Sequence, residues 1–236
     1  MGLYIRQLLA GRDFARADYF ASQMANFVYL VGDDELKVSM VVDPAWDIPG
    51  IIEFADYEGM GLDGALVTHY HPDHVGGNIF GHDIAGLADF IAMRPVKVHV
   101  NEVESEGVKT VTGLSDSDLE KHHGGDDISI GNVKVKLLHT PGHTPGSQCF
   151  LAASALISGD TLFIGGCGRV DLPGGNPEDM YHSLTQVLAK LPEETLVYPG
   201  HNYAAKPTST IGDEKKENYC LKIRSFEGWK SLMGEP

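Results

Sequence analysis

The sequence carries a dense group of potential metal ligands directly after an apolar segment. Three histidines and one aspartate fall within six consecutive positions: His69, His71, Asp73 and His74. Imidazole and carboxylate groups are ligands that zinc, iron and manganese bind in proteins. The apolar run 65–67 predicts a strand whose end delivers these four side chains to one rim of a sheet. Clustered His and Asp residues mark metal sites, so the pattern predicts one here.

Three further polar residues each follow an apolar, strand-like segment. His143 and His201 come after Pro-Gly pairs, and Asp160 follows the strand-like segment 155–158 after one glycine. Glycine permits the sharp turn that lets the next side chain point at a shared centre. His139 lies too early on its strand and is interpreted as structural. The order H-x-H-x-D-H, then H, D and H, with every member at a strand end, indicates a single centre.

Strand-forming residues dominate the first part of the chain and predict a sheet. β-Branched and aromatic residues are enriched there, and turn residues separate the runs. Apolar residues at helical spacing predict a helix over 48–57, between the third and fourth strands. The predicted strands are Leu3–Leu9, Asn26–Gly32, Lys37–Asp43 and Leu62–Val67.

The segment 76–123 is the least regular part of the chain. We interpret it as an elaborated insertion near the site, because loops commonly carry substrate contacts. A short strand is predicted at 96–100, and helical patterns are predicted at 84–93, 102–109 and 115–121. Four histidines of this region lack partners at ligand spacing and are interpreted as surface or packing residues: His82, His99, His122 and His123.

A second strand-rich half follows this segment. A helix is predicted over 177–191, where apolar residues line one face, and a polar helical piece over 213–224. Two sheet-forming halves with outer helices predict an α/β, four-layer sandwich. We expect one domain over 1–236, with 204–236 as a short C-terminal extension. The predicted strands are 127–130, 133–138, 147–151, 155–158 and 195–198.

Composition narrows the classes of function. The chain has 18 Lys and Arg against 33 Asp and Glu, a formal net charge of −15. Nucleic-acid binding needs a basic surface, so neither nucleic acid nor a membrane surface is expected as a partner. Three scattered cysteines predict reduced thiols, and the N-terminal stretch lacks a signal-peptide core. These features predict a cytoplasmic protein with a small-molecule substrate, and they leave a homodimer open.

The ordered ligand motifs resemble those of the metallo-β-lactamase-fold superfamily, with its αβ/βα sandwich. The resemblance extends from the first strand to about Tyr203. It implies that His69, His71 and His143 hold one metal ion. Asp73, His74 and His201 would hold a second ion, and Asp160 would bridge both. Two divalent ions are therefore expected, zinc first, with iron or manganese as alternatives.

The segments 158–169 and 198–203 resemble the glyoxalase II branch and its relatives, the persulfide dioxygenases. That resemblance implies a thioesterase in which a metal-bound hydroxide, oriented by Asp73, attacks an acylglutathione-like thioester or ester. It also implies that Arg169 and Tyr203 contact substrate, since Arg grips carboxylates in a bidentate fork. The competing interpretation pairs Arg169 with Asp171 and leaves Tyr203 to packing.

Two departures keep other activities open. Asp171 stands where glyoxalase II has an aromatic residue, and 35 residues (236 − 201) follow His201. That length is too short for the helical domain that completes the glutathione site of the full-length enzymes. The alternative is a mononuclear iron persulfide dioxygenase using His69, His143 and Asp160. Lactone or β-lactam hydrolysis is a further alternative, as is a non-catalytic binding module. Cys167 is interpreted as buried filler.

Overall fold

The computed structural model describes residues 2–223 and 225–233. Eight strands come from the first half of the chain. They are β1 (Leu3–Leu9), β2 (Phe27–Asp33), β3 (Val38–Val42), β4 (Gly61–Leu66), β5 (Gly77–Ile79), β6 (His82–Ile84), β7 (Lys97–Asn101) and β8 (Leu119–His122). Strands β5 and β6 pair as a separate hairpin, and the others form a sheet of order β1-β2-β3-β4-β7-β8. Its last four strands run parallel.

The second half of the chain forms a second sheet. Its strands are β9 (Asp127–Ile130), β10 (Val133–His139), β11 (Gln148–Ala152), β12 (Ala155–Gly159), β13 (Leu162–Phe163), β14 (Gly166–Cys167), β15 (Leu196–Pro199) and β16 (Ser209–Thr210). Strands β13 and β14 pair with each other, and the rest form a sheet of order β16-β15-β12-β11-β10-β9. Strand β15 lies parallel to β12 and follows a helical crossover.

Most of the helices cover the outer faces of the two sheets. They are α1 (Tyr19–Met24), α2 (Ile48–Tyr57), α3 (Pro72–Val75), α4 (Leu87–Met93), α5 (Ser105–Thr112), α6 (Pro177–His182), α7 (Ile211–Glu217), α8 (Tyr219–Lys222) and α9 (Phe226–Met233). A π turn (Ser183–Val187) and a 3₁₀ turn (Leu188–Lys190) extend α6. Among the described residues, no helix is both long and apolar enough to cross a membrane.

Three apolar clusters give the order of the layers. One lies between the two sheets and joins side chains such as Phe27 and Val31 of β2 to Val135 and Leu137 of β10. A second packs α2, α4 and α5 on the first sheet, and a third packs α6 to α9 on the second. Strand β2 is buried along its whole length because both faces of its sheet are covered. The four-layer α/β sandwich predicted from the sequence is confirmed.

Most predicted strands occur where expected, but several helix predictions need correction. One is the piece predicted over 213–224, which the extended backbone of Asn218 divides into α7 and α8. The predicted helix at 115–121 is wrong, because Leu119–His122 is the edge strand β8, paired with β7 and held by buried Leu119. The helix predicted from Ile84 begins at Leu87, since Ile84 pairs with Gly77 in the hairpin. The helix predicted over 177–191 changes to π and 3₁₀ turns after His182. Position 224, within the last predicted helix, lies outside the described residues.

Candidate metal centre

The two sheets bring the seven predicted ligands together at one edge. His69 and His71 lie on the loop after β4, and Asp73 and His74 lie on α3, which Pro72 begins. The other three come from the second sheet and follow three of its strands: His143 after β10, Asp160 after β12 and His201 after β15. Each half of the chain thus supplies part of the group, because the ends of these strands meet at the same edge.

The seven side chains form two compact donor sets. The ligand atoms of His69, His71 and His143 all lie within 4.8 Å of one another, and so do those of a second set, Asp73, His74 and His201. Asp160 lies between the sets. Its Oδ2 is 3.6 Å from His143 Nε2 and 3.4 Å from His201 Nε2. Its Oδ1 is 3.4 Å from His74 Nε2.

The chemistry of the group fits metal ions. Within the described part of the chain, His69 Nε2 and Asp160 Oδ1 are buried and have no hydrogen-bond partner. Buried polar atoms are normally satisfied, so two unpaired acceptors among the seven clustered side chains indicate that these side chains have cations as partners. Imidazole nitrogen and carboxylate oxygen are the donors that zinc, iron and manganese accept.

Four imidazoles are oriented by hydrogen bonds from Nδ1, which leaves Nε2 for a cation. His69 Nδ1 donates to Thr68 Oγ1 over 2.9 Å, and His74 Nδ1 donates to Asp43 Oδ2 over 2.9 Å. The remaining two Nδ1 atoms donate over 2.7 Å to backbone carbonyls, His143 to Arg169 and His201 to Met24. Metal-binding histidines usually make such bonds, which fix the tautomer and the ring orientation.

Asp43 is a supporting residue that sequence reasoning missed. Its carboxylate also accepts from the Thr68 backbone N–H and hydroxyl, over 2.8 and 2.6 Å. It adopts the left-handed conformation, with φ of 53°, at the end of β3. The sequence analysis places Asp43 only at the end of the predicted strand Lys37–Asp43. Asp43 directly follows a strand, as several of the ligands do, and this position is the sequence feature that could have identified it.

Glu104 joins the two ligand loops and was also missed. Its buried carboxylate accepts from the Tyr70 N–H over 2.8 Å, and from the Thr144 hydroxyl and the Gly146 N–H over 2.7 Å each. Burial raises its pKa, and these hydrogen bonds act against that shift. Tyr70 lies between two ligands and Thr144 follows His143, so this carboxylate fixes both loops. Nothing in the local sequence distinguishes it from a surface glutamate.

Burial and neighbouring charges shift the pKa values of the clustered histidines in opposite directions. Burial and neighbouring histidines hold the pKa of His69 well below its usual range, and lower that of His71 to about 4. Burial also disfavours the charge on His74, but Asp73 and Asp160 outweigh it and raise the pKa to about 9. The same carboxylates raise the pKa of His201.

Both carboxyl groups ionise at unusually low pH. Burial would raise the pKa of Asp73, but His74 and His201 outweigh it and lower that pKa strongly. The pKa of Asp160 is lowered against burial in the same way, by His201, His74 and His143. Both side chains are therefore anionic at neutral pH, as cation ligands must be.

The two predicted substrate-contacting residues have different surroundings. Arg169 makes a two-pronged ion pair with Asp171, at 2.9 and 2.8 Å, on the exposed surface. Tyr203 stacks on the His201 ring with centroids 4.7 Å apart, and its edge contacts Phe163. Tyr203 therefore lies against the centre, whereas the Arg169 guanidinium already has a carboxylate partner.

Two residues set aside in the sequence analysis, His139 and Cys167, have specific contacts. His139 lies outside the donor sets, and its Nε2 donates to the Pro145 carbonyl over 2.9 Å. Cys167 and Cys220 place their sulfur atoms 3.3 Å apart, although 53 positions separate them in the chain. That contact shows that the cysteines are less scattered in the fold than in the sequence.

The chain is similar to proteins of a known family. Residues 23–201 match the model of the metallo-beta-lactamase superfamily, a span that contains all seven clustered residues. The probable hydroxyacylglutathione hydrolase glo2 of Schizosaccharomyces pombe is 36% identical over 225 residues, covering 89% of this chain and 79% of the relative. The mitochondrial persulfide dioxygenase ETHE1 of Homo sapiens is 30% identical over 238 residues, covering 97% and 86%.

A solved structure agrees with the sequence comparison. The crystal structure of ETHE1 from Myxococcus xanthus superimposes with a TM-score of 0.79 at 28% identity. The match covers 98% of this chain and 89% of that one. Relatives from both the hydrolase and the dioxygenase groups thus resemble this chain to a similar degree.

Proposed function

The chain belongs to the metallo-beta-lactamase superfamily, and we propose that it is a dinuclear metallohydrolase of the glyoxalase II-like type that cleaves a thioester. One observation carries this proposal. Two three-residue donor sets meet at Asp160, whose carboxylate faces histidines of both sets. If only one cation were bound at the other set, Asp73, His74 and His201 would be buried metal ligands with no metal ion to bind.

Two bound divalent ions would supply a water molecule with a lowered pKa and would stabilise a developing oxyanion. The seven clustered residues would hold these ions. Asp73 would also orient the attacking water. Its Oδ2 is fixed by the Asn26 amide, which donates over 3.0 Å, and lies 3.4 Å from His201 Nε2.

The surroundings of the centre support a thioester as the substrate. Tyr203 and Phe163 form an aromatic wall beside His201, suited to the apolar part of an acyl group. A surface cavity of about 670 Å³ begins at Ile164 and Gly165 and includes Lys206. Its volume falls in the range of small-molecule sites, and its lining also includes the carboxylates of Asp213, Glu214 and Glu217. It supports the proposal by its size and not by its charge.

The Asp73→Asn variant tests the hydrolase proposal. We expect kcat/KM for an acylglutathione to fall about 100-fold or more. A neutral amide accepts a proton from water much less readily than a carboxylate does, and therefore orients the attacking water poorly. Asp63→Asn, an exposed position on β4, is the matched control and should retain activity. Metal content per chain is measured on every sample. Equal kcat/KM values in both variants would contradict the assignment of Asp73.

A mononuclear iron persulfide dioxygenase is the second candidate. The similarity to the Myxococcus xanthus structure over nearly the whole chain favours it, as does the Arg169–Asp171 pair. His69, His143 and Asp160 would then be the iron ligands. Oxygen uptake with glutathione persulfide, together with one iron per chain and no thioester cleavage, would establish this activity and overturn the hydrolase proposal.

A further inference from the structure

A second group of metal-ligand side chains lies at the edge of the first sheet. Strands β7 and β8 run parallel there, with His99 opposite Glu120 and Asn101 opposite His122. His122 follows Glu120 by two positions, so both side chains emerge on the same face of β8 as His99 does on β7. The sequence analysis assigned both histidines to packing or surface roles. The fold brings them together because β8 is a strand and not the predicted helix.

The three side chains converge on one point. His99 Nδ1 lies 2.9 Å from His122 Nε2. Glu120 places Oε2 3.9 Å from His99 Nδ1 and Oε1 3.9 Å from His122 Nε2. All three ligand atoms lie within 4.8 Å of one another. None of the three residues belongs to the centre described above.

These separations match the spacing of ligands around a small cation. Two donors at about 2.0–2.1 Å from a tetrahedral zinc ion are roughly 3.3 Å apart. The observed separations of 2.9 and 3.9 Å bracket that value. A hydrogen bond between two imidazoles explains the short contact alone. It does not explain why the carboxylate spans both rings at a distance too long for a hydrogen bond.

The surroundings of His99 keep its imidazole available as a ligand. His99 is buried, and glycine at position 64 makes room for it, since a Cβ there would lie 3.3 Å from His99 Cδ2. Burial lowers the pKa of His99, with Glu120 acting against and His122 adding to this shift. His99 is therefore neutral at pH 7, as a metal ligand must be. The Glu120 side chain is 54% exposed, so a cation here would have an open path to solvent.

We propose that His99, Glu120 and His122 bind a divalent cation of the zinc class at the edge of the first sheet. Two imidazoles and one carboxylate favour zinc over magnesium or calcium, which prefer oxygen ligands. Three protein ligands leave the fourth position to water. The bound ion links β8 to β7, and the His99 carbonyl in turn accepts from the Val67 N–H over 3.0 Å. The site thus stiffens the β7–β8 pair beside the loop that carries His69 and His71.

Zinc binding to the metal-loaded protein tests this proposal. The wild type, His122→Gln and His123→Gln are first saturated with zinc, then dialysed against the same free zinc concentration and analysed by elemental mass spectrometry. His123 is the matched control, because it is the next residue, is 74% exposed and lies 3.5 Å from Glu102 instead. We expect wild type and His123→Gln to hold one more zinc ion per chain than His122→Gln.

The difference between variants makes the result independent of how many ions the main centre holds. Glu120→Gln provides a second variant at an exposed side chain, where misfolding is not expected. Its zinc affinity at this site should fall at least tenfold, and added zinc should raise the Tm of the wild type more than that of either site variant. Equal zinc content in wild type, His122→Gln and Glu120→Gln would overturn the proposal, whether or not the protein cleaves thioesters.

Discussion

At the scale of single residues, the centre depends on groups that sequence patterns do not reveal. The ligands stand out because of their types and spacing. Glu104 and Asp43 do not, yet their carboxylates hold the backbone and the imidazoles that present those ligands. Each accepts several hydrogen bonds in a buried position, where an unsatisfied partner is costly.

Glu104→Gln should weaken both the fold and the centre. The amide NH₂ of glutamine would face the Gly146 N–H or the Tyr70 N–H, placing donor against donor. We expect the free energy of unfolding to fall by about 1–3 kcal/mol, with a matching loss of metal affinity. Urea denaturation of metal-free and metal-loaded protein measures both. Glu106→Gln, an exposed change two residues away, should change neither the free energy of unfolding nor the metal affinity. An unchanged unfolding midpoint in Glu104→Gln would contradict the bridging role.

Metal uptake should release protons at pH 7.5. His74, with a pKa of about 9, and His201, with a raised pKa, are protonated in the metal-free protein. Ligand imidazoles must be neutral, so binding at Asp73, His74 and His201 should release about two protons and strengthen as the pH rises towards 9. Isothermal titration calorimetry in buffers of different ionisation enthalpy counts these protons. A heat of binding that does not vary with the buffer would contradict the predicted release of protons.

The same pKa shift makes the stability of the metal-free fold depend on pH. The pKa of His74 is higher in the folded chain than the usual 6.5, so its protonation stabilises the fold fully below pH 6.5. This contribution disappears as the pH rises through about 9. Filling the centre with metal removes the titrating proton, so the loaded protein should not show this decline.

At the scale of elements, the turns after the strands decide how closely the ligands approach. Gly200 precedes His201, and a Cβ there would collide with Asp160 Oδ1 and lie 3.0 Å from the Gly159 carbonyl carbon. Gly159 itself needs a positive φ of 48°. The ends of β12 and β15 therefore pack backbone against backbone, which only glycine permits.

Gly200→Ala should displace the Asp160 carboxylate while leaving the sheets paired. The added methyl group has no space, and overpacking of this kind costs about 1–3 kcal/mol. We expect reduced metal content and activity, with a circular dichroism spectrum like that of the wild type. Gly61→Ala is the control, because a Cβ there meets only the Lys37 carbonyl at 3.4 Å. Full metal content in Gly200→Ala would show that the carboxylate can shift without loss.

Sequence reasoning succeeded where one local pattern decides the outcome. Strands β1 and β9 and helix α2 occur at the predicted bounds because their apolar periodicity is clear. It failed for β8, whose polar sequence becomes a strand only because β7 offers a parallel partner. Of the site, the seven clustered histidines and aspartates were predicted from their spacing and strand-end positions, whereas Asp43 was not. Glu104 was not, because its role arises from contacts with residues 34 to 42 positions away.

At the scale of the whole molecule, net charge opposes an anionic substrate. The formal charge is −15, and two divalent ions change it only to −11 (−15 + 4). Such a field repels acylglutathione-like anions at a distance, and salt screens it, with a Debye length of about 30 Å at 0.01 M and 8 Å at 0.15 M.

The KM for an anionic thioester should therefore fall as salt is added. We expect a decrease of about two- to fivefold between 0.01 and 0.15 M sodium chloride, because screening removes the long-range repulsion. A neutral thioester assayed in parallel serves as the control and should show a constant KM. A rise in KM with salt for the anionic substrate would instead indicate a local cationic surface that dominates binding.

The division of the donor sets between the two sheets has a consequence for synthesis on the ribosome. The first four clustered residues end at His74 and the last is His201, so 127 positions (201 − 74) separate them. At 5–20 residues per second, about 6–25 s pass between the emergence of the two groups. During that interval the nascent chain presents His69, His71, Asp73 and His74 without their partners. Binding of metal by the complete set of ligands is therefore a late event, which is completed only after the second sheet has packed on the first.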